Sequence, residues 1–152
     1  MAARIIGIGQ QWAGDDGVGL AVIHKLREFD GQVDLVELDE PTRLIDLLAD
    51  GADPVVLVDA VLDDGPAGRV LLIDSQTPSG HCQHLLSTHG VGVMEAIELA
   101  RITHPDDVAG RIFIVGVTVQ ETSRRGRGLS AAVEAAVQHG AEEALKLARA
   151  NR

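Results

Sequence analysis

The chain has 152 residues, 45% of them hydrophobic, and a formal charge of −10, which is typical of one globular domain of ordinary size. Aromatic residues make up only 2%, so platforms for base stacking are scarce, and the negative charge disfavours nucleic acid or anionic membranes as partners. One cysteine precludes an internal disulfide, no apolar run approaches the roughly 18 residues of a membrane span, and the apolar start is too short for a signal peptide, so we expect a single cytoplasmic domain over residues 1–152.

Apolar periodicity predicts strands that alternate with helices along the chain. The predicted elements, in order, are a strand at 4–9, a helix at 16–29, a strand at 33–38, a helix at 42–48, strands at 55–58 and 70–73, a helix at 92–102, a strand at 112–117 and a last helix from Ser130 towards Ala150. The polar segment 74–88 reads as a loop. Ser130 is a good residue to cap the last helix.

This alternation predicts an α/β three-layer sandwich, with a mostly parallel, twisted sheet of five strands and helices on both faces. The strand at 70–73 follows the third strand by too few residues for a crossover helix, so it should pair antiparallel at an edge of the sheet. Ligands of such folds bind beyond the carboxyl ends of the strands. The residues that directly follow strands are therefore the candidates for a functional site.

The loop after the first strand is rich in glycine but does not match a nucleotide site. A Gly-x-Gly-x-x-Gly fingerprint needs a glycine where Trp12 stands, and Asp15 and Asp16 carry the wrong charge for phosphate. Two interpretations of these acids stay open. Asp15 could cap the helix and Asp16 complement its dipole, for about 1 kcal/mol, or the acids could belong to a ligand site. Glycines in this loop would then let a partner chain approach closely; they are Gly14, Gly17 and Gly19.

Asp59 directly follows the most apolar strand, at the same edge of the sheet. Two ionised carboxylates about 5 Å apart repel each other by about 3 kcal/mol at an effective dielectric constant near 20, and a cation between them reverses the sign. Asp59 is therefore a second candidate ligand. The alternative is that it caps the following turn together with Asp63 and Asp64.

Histidine is the third possible ligand type. His81, Cys82 and His84 are too crowded to form a closed zinc site on their own, and an exposed polar loop is the simpler interpretation. His89 stands directly before a predicted helix, where its alternative role is to cap that helix. Two carboxylates and one imidazole suit nickel, zinc or a similar ion and leave coordination positions open.

Together these segments resemble the hydrogenase maturation endopeptidases, which trim the large subunits of nickel–iron hydrogenases. The resemblance covers nearly the whole chain. Its motifs are Gly7-Ile8-Gly9, Asp15-Asp16-Gly17-Val18-Gly19, Val58-Asp59-Ala60, Ser87-Thr88-His89-Gly90-Val91-Gly92, and Val115-Gly116-Val117 leading to Gly128-Leu129-Ser130.

The resemblance implies that Asp16, Asp59 and His89 are the metal ligands and that Asp16 and Asp59 are also the catalytic candidates. It implies an endopeptidase that inspects nickel already inserted in the precursor of the hydrogenase large subunit and then removes the C-terminal extension. The nickel would come from this partner, and the same ligands would also accept zinc or cadmium. A nucleotide is not expected.

The sequence departs from the family pattern in two places. Gln10 stands where asparagine is usual, and residues 39–43 replace a loop of small residues with a proline and charges, which stiffens it and would alter which precursor is accepted. The basic stretch with Arg124, Arg125 and Arg127 is a solvated surface loop or, as a hypothesis, a docking site for an acidic patch. Two rival functions stay open: a metal-sensing chaperone that does not cut the precursor and, less favoured, a nucleotide-binding domain.

Overall fold

The computed structural model describes residues 2–10, 13–29, 31–76, 86–87, 92–120 and 128–150. It has the three-layer α/β architecture that the sequence predicts. The strands are β1 (Arg4–Ile8), β2 (Asp34–Leu38), β3 (Val55–Leu62), β4 (Val70–Asp74), β5 (Leu86–Ser87) and β6 (Ile112–Val119), and the helices are α1 (Val18–Leu26), α2 (Leu44–Leu48), α3 (Val93–Thr103) and α4 (Ala131–Ala150). Short 3₁₀ turns at Gly14–Gly17 and Pro41–Arg43 precede α1 and α2.

The main sheet has the order β2-β1-β3-β6-β4. β1 pairs in parallel with β2 and β3, and β3 pairs in parallel with β6. β4 lies at the edge and is antiparallel, which confirms the prediction, and its partner is β6 rather than the preceding strand β3. β4 follows β3 in the chain, but β6 lies between the two strands in the sheet, so β4 forms the outer edge.

Two differences from the predicted elements affect the candidate site. β3 continues four residues past Val58 to Leu62, because β6 pairs with it along its whole length, Val55 with Ile112 through to Leu62 with Val119. The segment expected to be loop contains β5, in which Ser87 pairs antiparallel with Val61. A two-residue strand is too short to show a period in the sequence, so only its pairing reveals it.

The added length of β3 creates a gap in the sheet. β6 occupies one edge of β3 throughout, so β1 and β5 must share the other edge. β1 pairs with residues 55–58 of β3, and β5 pairs with Val61 and Leu62. Asp59 and Ala60 therefore lie between the end of β1 and the start of β5, where no described strand covers that edge.

Two apolar cores cover the faces of the sheet. One core packs α1 and α4 against Val56, Val58 and Ala60 of β3. The other packs α2 and α3 against Val55 and Leu57 of the same strand. These alternating residues divide β3 between the two layers, as a strand buried on both faces requires. Among the described residues, no helix combines the length and the apolar character needed to cross a membrane.

Gly19 allows α1 to approach the sheet at its carboxyl edge. A Cβ atom at Gly19 would come within 2.6 Å of the carbonyl oxygen of Val58 and closer still to that of Ile8. Gly14, in the preceding turn, has a φ of +58°, which glycine adopts without strain. Gly14, Gly17 and Gly19 are all buried, so the expectation that they admit a partner chain is wrong. Gly19 serves internal packing, and Gly14 serves the turn.

Gly19→Ala should destabilise the fold by about 1–3 kcal/mol, because the new methyl group meets backbone oxygens that cannot move aside independently. Thermal or urea unfolding monitored by circular dichroism measures the change. Gly31→Ala is the matched control, since its Cβ has nothing within 4 Å. Equal unfolding midpoints for the two variants would contradict the packing role of Gly19.

Candidate functional site

Asp16 lies in the 3₁₀ turn between β1 and α1, and the turn folds back over the end of the sheet. Asp16 is buried, with 7% of its surface exposed. A Cβ at Gly9 would clash with the Asp16 carbonyl oxygen, so the turn closes tightly onto the residue that follows β1. Three residues later, Gly19 contacts Val58, the neighbour of Asp59. The structure therefore brings Asp16 to the carboxyl end of β1, beside the strand that carries Asp59.

Asp59 lies inside β3, not after it as the sequence suggested. It is 1% exposed, pairs in register with Gly116 of β6, and accepts a 2.8 Å hydrogen bond from the Ala60 amide through Oδ1. Strand alternation puts it on the face of Val55 and Leu57, which is the face covered by α2 and α3.

The proposed turn-capping role of Asp59 is wrong. Asp59 belongs to the strand, and the turn that follows β3 is closed by other groups. Asp63 forms an ion pair with Arg69 across this turn, and the Thr118 hydroxyl donates to the carbonyl of Pro66 at 2.9 Å. The burial of Asp59 therefore does not serve the turn.

Asp15 has a structural role that the sequence did not reveal. It is fully buried, and its two carboxylate oxygens accept hydrogen bonds from the Ser130 amide at 2.7 Å and the Ser130 hydroxyl at 2.8 Å. Neither α1 nor the preceding turn has a side-chain cap, so the interpretation of Asp15 as a helix cap is wrong. Instead Asp15 joins the first loop to the start of α4. Both of its oxygens are engaged in this link.

Asp15→Asn should lower the free energy of unfolding by about 2 kcal/mol, because a neutral amide replaces the carboxylate that accepts two charge-assisted hydrogen bonds, and only one of its two polar atoms can still accept. Ser130→Ala should lower the free energy of unfolding by only about 1 kcal/mol, since the backbone amide of residue 130 still donates its hydrogen bond to Asp15. Chemical denaturation measures both changes. Asp106→Asn makes the same change on an exposed carboxylate and should stay within about 0.5 kcal/mol of the unsubstituted protein; a loss as large as that of Asp15→Asn would refute the special role of Asp15.

A cleft of about 700 Å³ opens next to this turn, at the carboxyl ends of β1 and β2. Gly9, Gln10 and Ala13 of the first loop line one side. Residues 37–40 at the end of β2, together with Arg43, line the other. The sequence indicates this region through the rule that ligands bind beyond strand ends and through the unusual residues 39–43; it does not single out Glu37.

Glu37 forms a charged network on the wall of this cleft. Its carboxylate contacts His24 Nε2 of α1 at 2.5 Å and Arg27, the residue directly after α1, at 3.1 Å. Burial alone would raise the pKa of Glu37, but the hydrogen bond and the charge of Arg27, helped by His24, outweigh it and hold the pKa below the usual glutamate value. Glu37 therefore stays ionised at neutral pH and adds a negative charge to the cleft.

The network should make stability depend on pH in the acid range. A carboxyl with a lowered pKa in the folded state stabilises the fold above its unfolded-state pKa and loses this contribution as the pH falls through the folded-state value. The melting temperature of Glu37→Gln should thus lie below that of the unsubstituted protein at pH 7, and the difference should shrink as the pH falls below the usual glutamate range. A difference that is constant from pH 7 to pH 3 would show that Glu37 does not contribute through its charge.

Several predicted functional residues lie outside the part of the chain that the structure describes. They are His81, Cys82, His84, His89, Arg124, Arg125 and Arg127. Within the described ranges, no group of three or more His, Cys, Asp or Glu side chains could hold a metal ion. The pairing of Asp16 and Asp59 with His89 therefore stays a prediction.

Comparison with known proteins identifies the family. The family model described as hydrogenase maturation protease matches residues 20–147, most of the chain. The chain belongs to the hydrogenase maturation protease family. As a member of this family, it is an endopeptidase. No curated protein matches the sequence significantly.

Solved structures show that the fold of this protease is also that of the family. It is similar to the [NiFe] hydrogenase maturation protease HybD from Thermococcus kodakarensis, with a TM-score of 0.76 and 24% identity over 97% of this chain and 99% of that one. It is similar to the hydrogenase maturating endopeptidase HybD from E. coli, with a TM-score of 0.73 and 18% identity over 99% and 93%. A third match, HycI from Thermococcus kodakarensis, has a TM-score of 0.65 and 23% identity over 97% and 90%.

Proposed function

We propose that this protease recognises nickel in the precursor of a nickel–iron hydrogenase large subunit and removes the C-terminal extension of that precursor. Asp16, Asp59 and His89 are the residues that would contact the nickel, which arrives with the substrate. The observation that carries the proposal is Asp59, a carboxylate that is 1% exposed and lies at the gap between β1 and β5. The family assignment supplies the reaction class.

The positions of the acids support this assignment. Asp16 and Asp59 belong to elements that meet at one edge of the sheet, where ligands of parallel sheets bind. An ionised carboxylate in a buried position is costly unless opposite charge or hydrogen bonds compensate it. A divalent cation supplied by the substrate would add strong compensation at this edge. Burial of both acids therefore favours binding of a cation over binding of an anion.

Chain connectivity supports His89 as the third contact. Ser87 pairs with Val61, two residues beyond Asp59, and His89 follows Ser87 by two residues. Covalent geometry keeps two residues that far apart in the chain within about 7.6 Å at their Cα atoms. His89 also precedes α3, which packs on the face of β3 that carries Asp59. These relations favour a shared site.

The proposed reaction is hydrolysis, in which water adds to the scissile carbonyl carbon and the peptide C–N bond breaks. The proton taken from water ends on the new amine, and the other product carries the new carboxylate. A carboxylate of the site can accept the proton from water as a general base. The alternative is that nickel in the precursor polarises the carbonyl. The two routes differ in the group that activates the reaction and share the same residues.

The test incubates the purified protease with a precursor in nickel-loaded and nickel-free form and follows the mass of the large subunit. We expect the loss of the C-terminal extension only with nickel. Asp16→Asn and Asp59→Asn should each slow cleavage at least about 100-fold, because each removes a charge from the site. His89→Gln should weaken the dependence on nickel.

The controls are Asp106→Asn and His139→Gln, which change exposed side chains of the same types and should leave cleavage unchanged. Equal cleavage with and without nickel would refute nickel recognition. Full activity after loss of both Asp16 and Asp59 would refute the site. A stable complex with the nickel-loaded precursor whose mass never changes would instead support the chaperone function.

A further inference from the structure

We propose that the cleft beside β1 and β2 binds an extended segment of the protein substrate through a Lys or Arg side chain, which pairs with Asp39 and Glu40. The inference builds on the proposed function, since it describes the substrate of the same site. The cleft has a volume of about 700 Å³, within the usual range for ligand-binding clefts. Gly9 lines it and also contacts the Asp16 carbonyl, so a peptide in the cleft would lead towards the candidate acids.

The lining combines an apolar floor with an acidic rim. Leu38 is 1% exposed and forms part of the cleft with Leu20 and Ala13. Asp39 and Glu40 are exposed at its mouth. A Lys or Arg side chain has a matching division, because its methylene stem packs on apolar surface while its charged head stays near water and acids. The combination favours a cationic side chain over an apolar or acidic one.

The two acids at the rim differ from Glu37, whose carboxylate is already paired. Glu37 contacts Arg27 and His24, whereas Asp39 has no ion pair within the described part of the chain. The Glu40 carboxylate accepts only a long hydrogen bond within the described residues, from the Thr42 hydroxyl at 3.4 Å. Asp39 and Glu40 therefore can pair with an incoming cation without first breaking a salt bridge.

Charge also argues against other occupants of the cleft. Glu37, Asp39 and Glu40 line it, and Glu37 is paired with Arg27, which leaves Asp39 and Glu40 against the guanidinium of Arg43. The whole chain adds to this field with a formal charge of −10. A phosphate or an acidic peptide would meet net repulsion here. The positive charge of Arg43 repels a cationic side chain, so a neutral residue at position 43 should strengthen binding.

The probe is a fluorescein-labelled nonapeptide of alanine and valine whose central residue is arginine, glutamine or glutamate. Fluorescence anisotropy measures its affinity for the full-length protease at low and moderate salt. We expect the arginine peptide to bind at least tenfold more tightly than the glutamate peptide, with an advantage that falls as salt rises. The double substitution Asp39→Asn with Glu40→Gln should reduce the affinity for the arginine peptide about tenfold, and Arg43→Gln should increase it.

The matched control is Glu98→Gln with Asp106→Asn, which makes the same change in net charge at exposed positions outside the cleft. This control should change the affinity less than twofold. Equal losses in the two double variants, or equal binding of the arginine and glutamate peptides, would overturn the inference, as would the absence of binding by any peptide.

Cleavage assays separate this inference from the proposed function. With a nickel-loaded precursor, the cleft variant should raise KM and leave kcat near that of the unsubstituted protease. If the unsubstituted protease cuts no precursor, the proposed function fails, and the anisotropy measurement still decides the cleft. If precursor is cut and KM is the same in the cleft and control variants, the inference fails and the function stands.

Discussion

The hydrogen bonds between Asp15 and Ser130 fix the arrangement on which the candidate site depends. These residues are 115 positions apart, and the contact joins the loop after the first strand to the start of the last helix. A carboxylate that is fully buried requires such donors, because its desolvation is otherwise unfavourable. The two donors come from one residue at a helix start, so they orient the carboxylate as well as stabilise it. The adjacent Asp16 therefore lies in a turn that these two hydrogen bonds hold in place.

Close packing fixes the same turn from the other side. Gly9 and Gly19 bring the turn and α1 into contact with backbone oxygens of Asp16, Ile8 and Val58. Backbone contacts of this kind cannot adjust as a long side chain would. The first loop therefore combines a hydrogen-bonded anchor with a tightly packed one. Preorganised acids at a strand edge are a common basis for recognition of a metal centre, because little rearrangement is needed when the ligand arrives.

Much of the fold follows from local patterns in the sequence. The apolar runs of β1, β3 and β6 and the periodicity of α1, α3 and α4 predict element type and order, and the short link to β4 predicts its antiparallel edge position. Strand length does not follow in the same way. β3 extends to Leu62 because β6 and β5 pair with it, and a pairing between distant segments leaves no mark in either segment alone.

In the candidate site, too, local patterns are predictable from the sequence and contacts between distant residues are not. Asp16 and Asp59 stand out from the sequence, since acids next to glycines and apolar strands are conspicuous. The role of Asp15 does not follow from the sequence, because a carboxylate near a helix start suggests a cap, whereas its partner is 115 residues away. The sequence does not single out Glu37 of the cleft lining either, since Glu37 belongs to a strand and is paired with His24 of α1 and with Arg27 directly after it.

The unequal strand lengths give the upper rim of the sheet a stepped profile. β1 and β2 end at Ile8 and Leu38, while β3 and β6 rise further, to Leu62 and Val119. The lower strands end at the cleft, and Asp59 belongs to the longer β3, where it pairs in register with Gly116 of β6. Asp59 stands at the height of the step, one residue past Val58, which is the last residue of β3 that pairs with β1. The fold thus holds this acid where the sheet narrows, with a paired strand on one side of it and no described strand on the other.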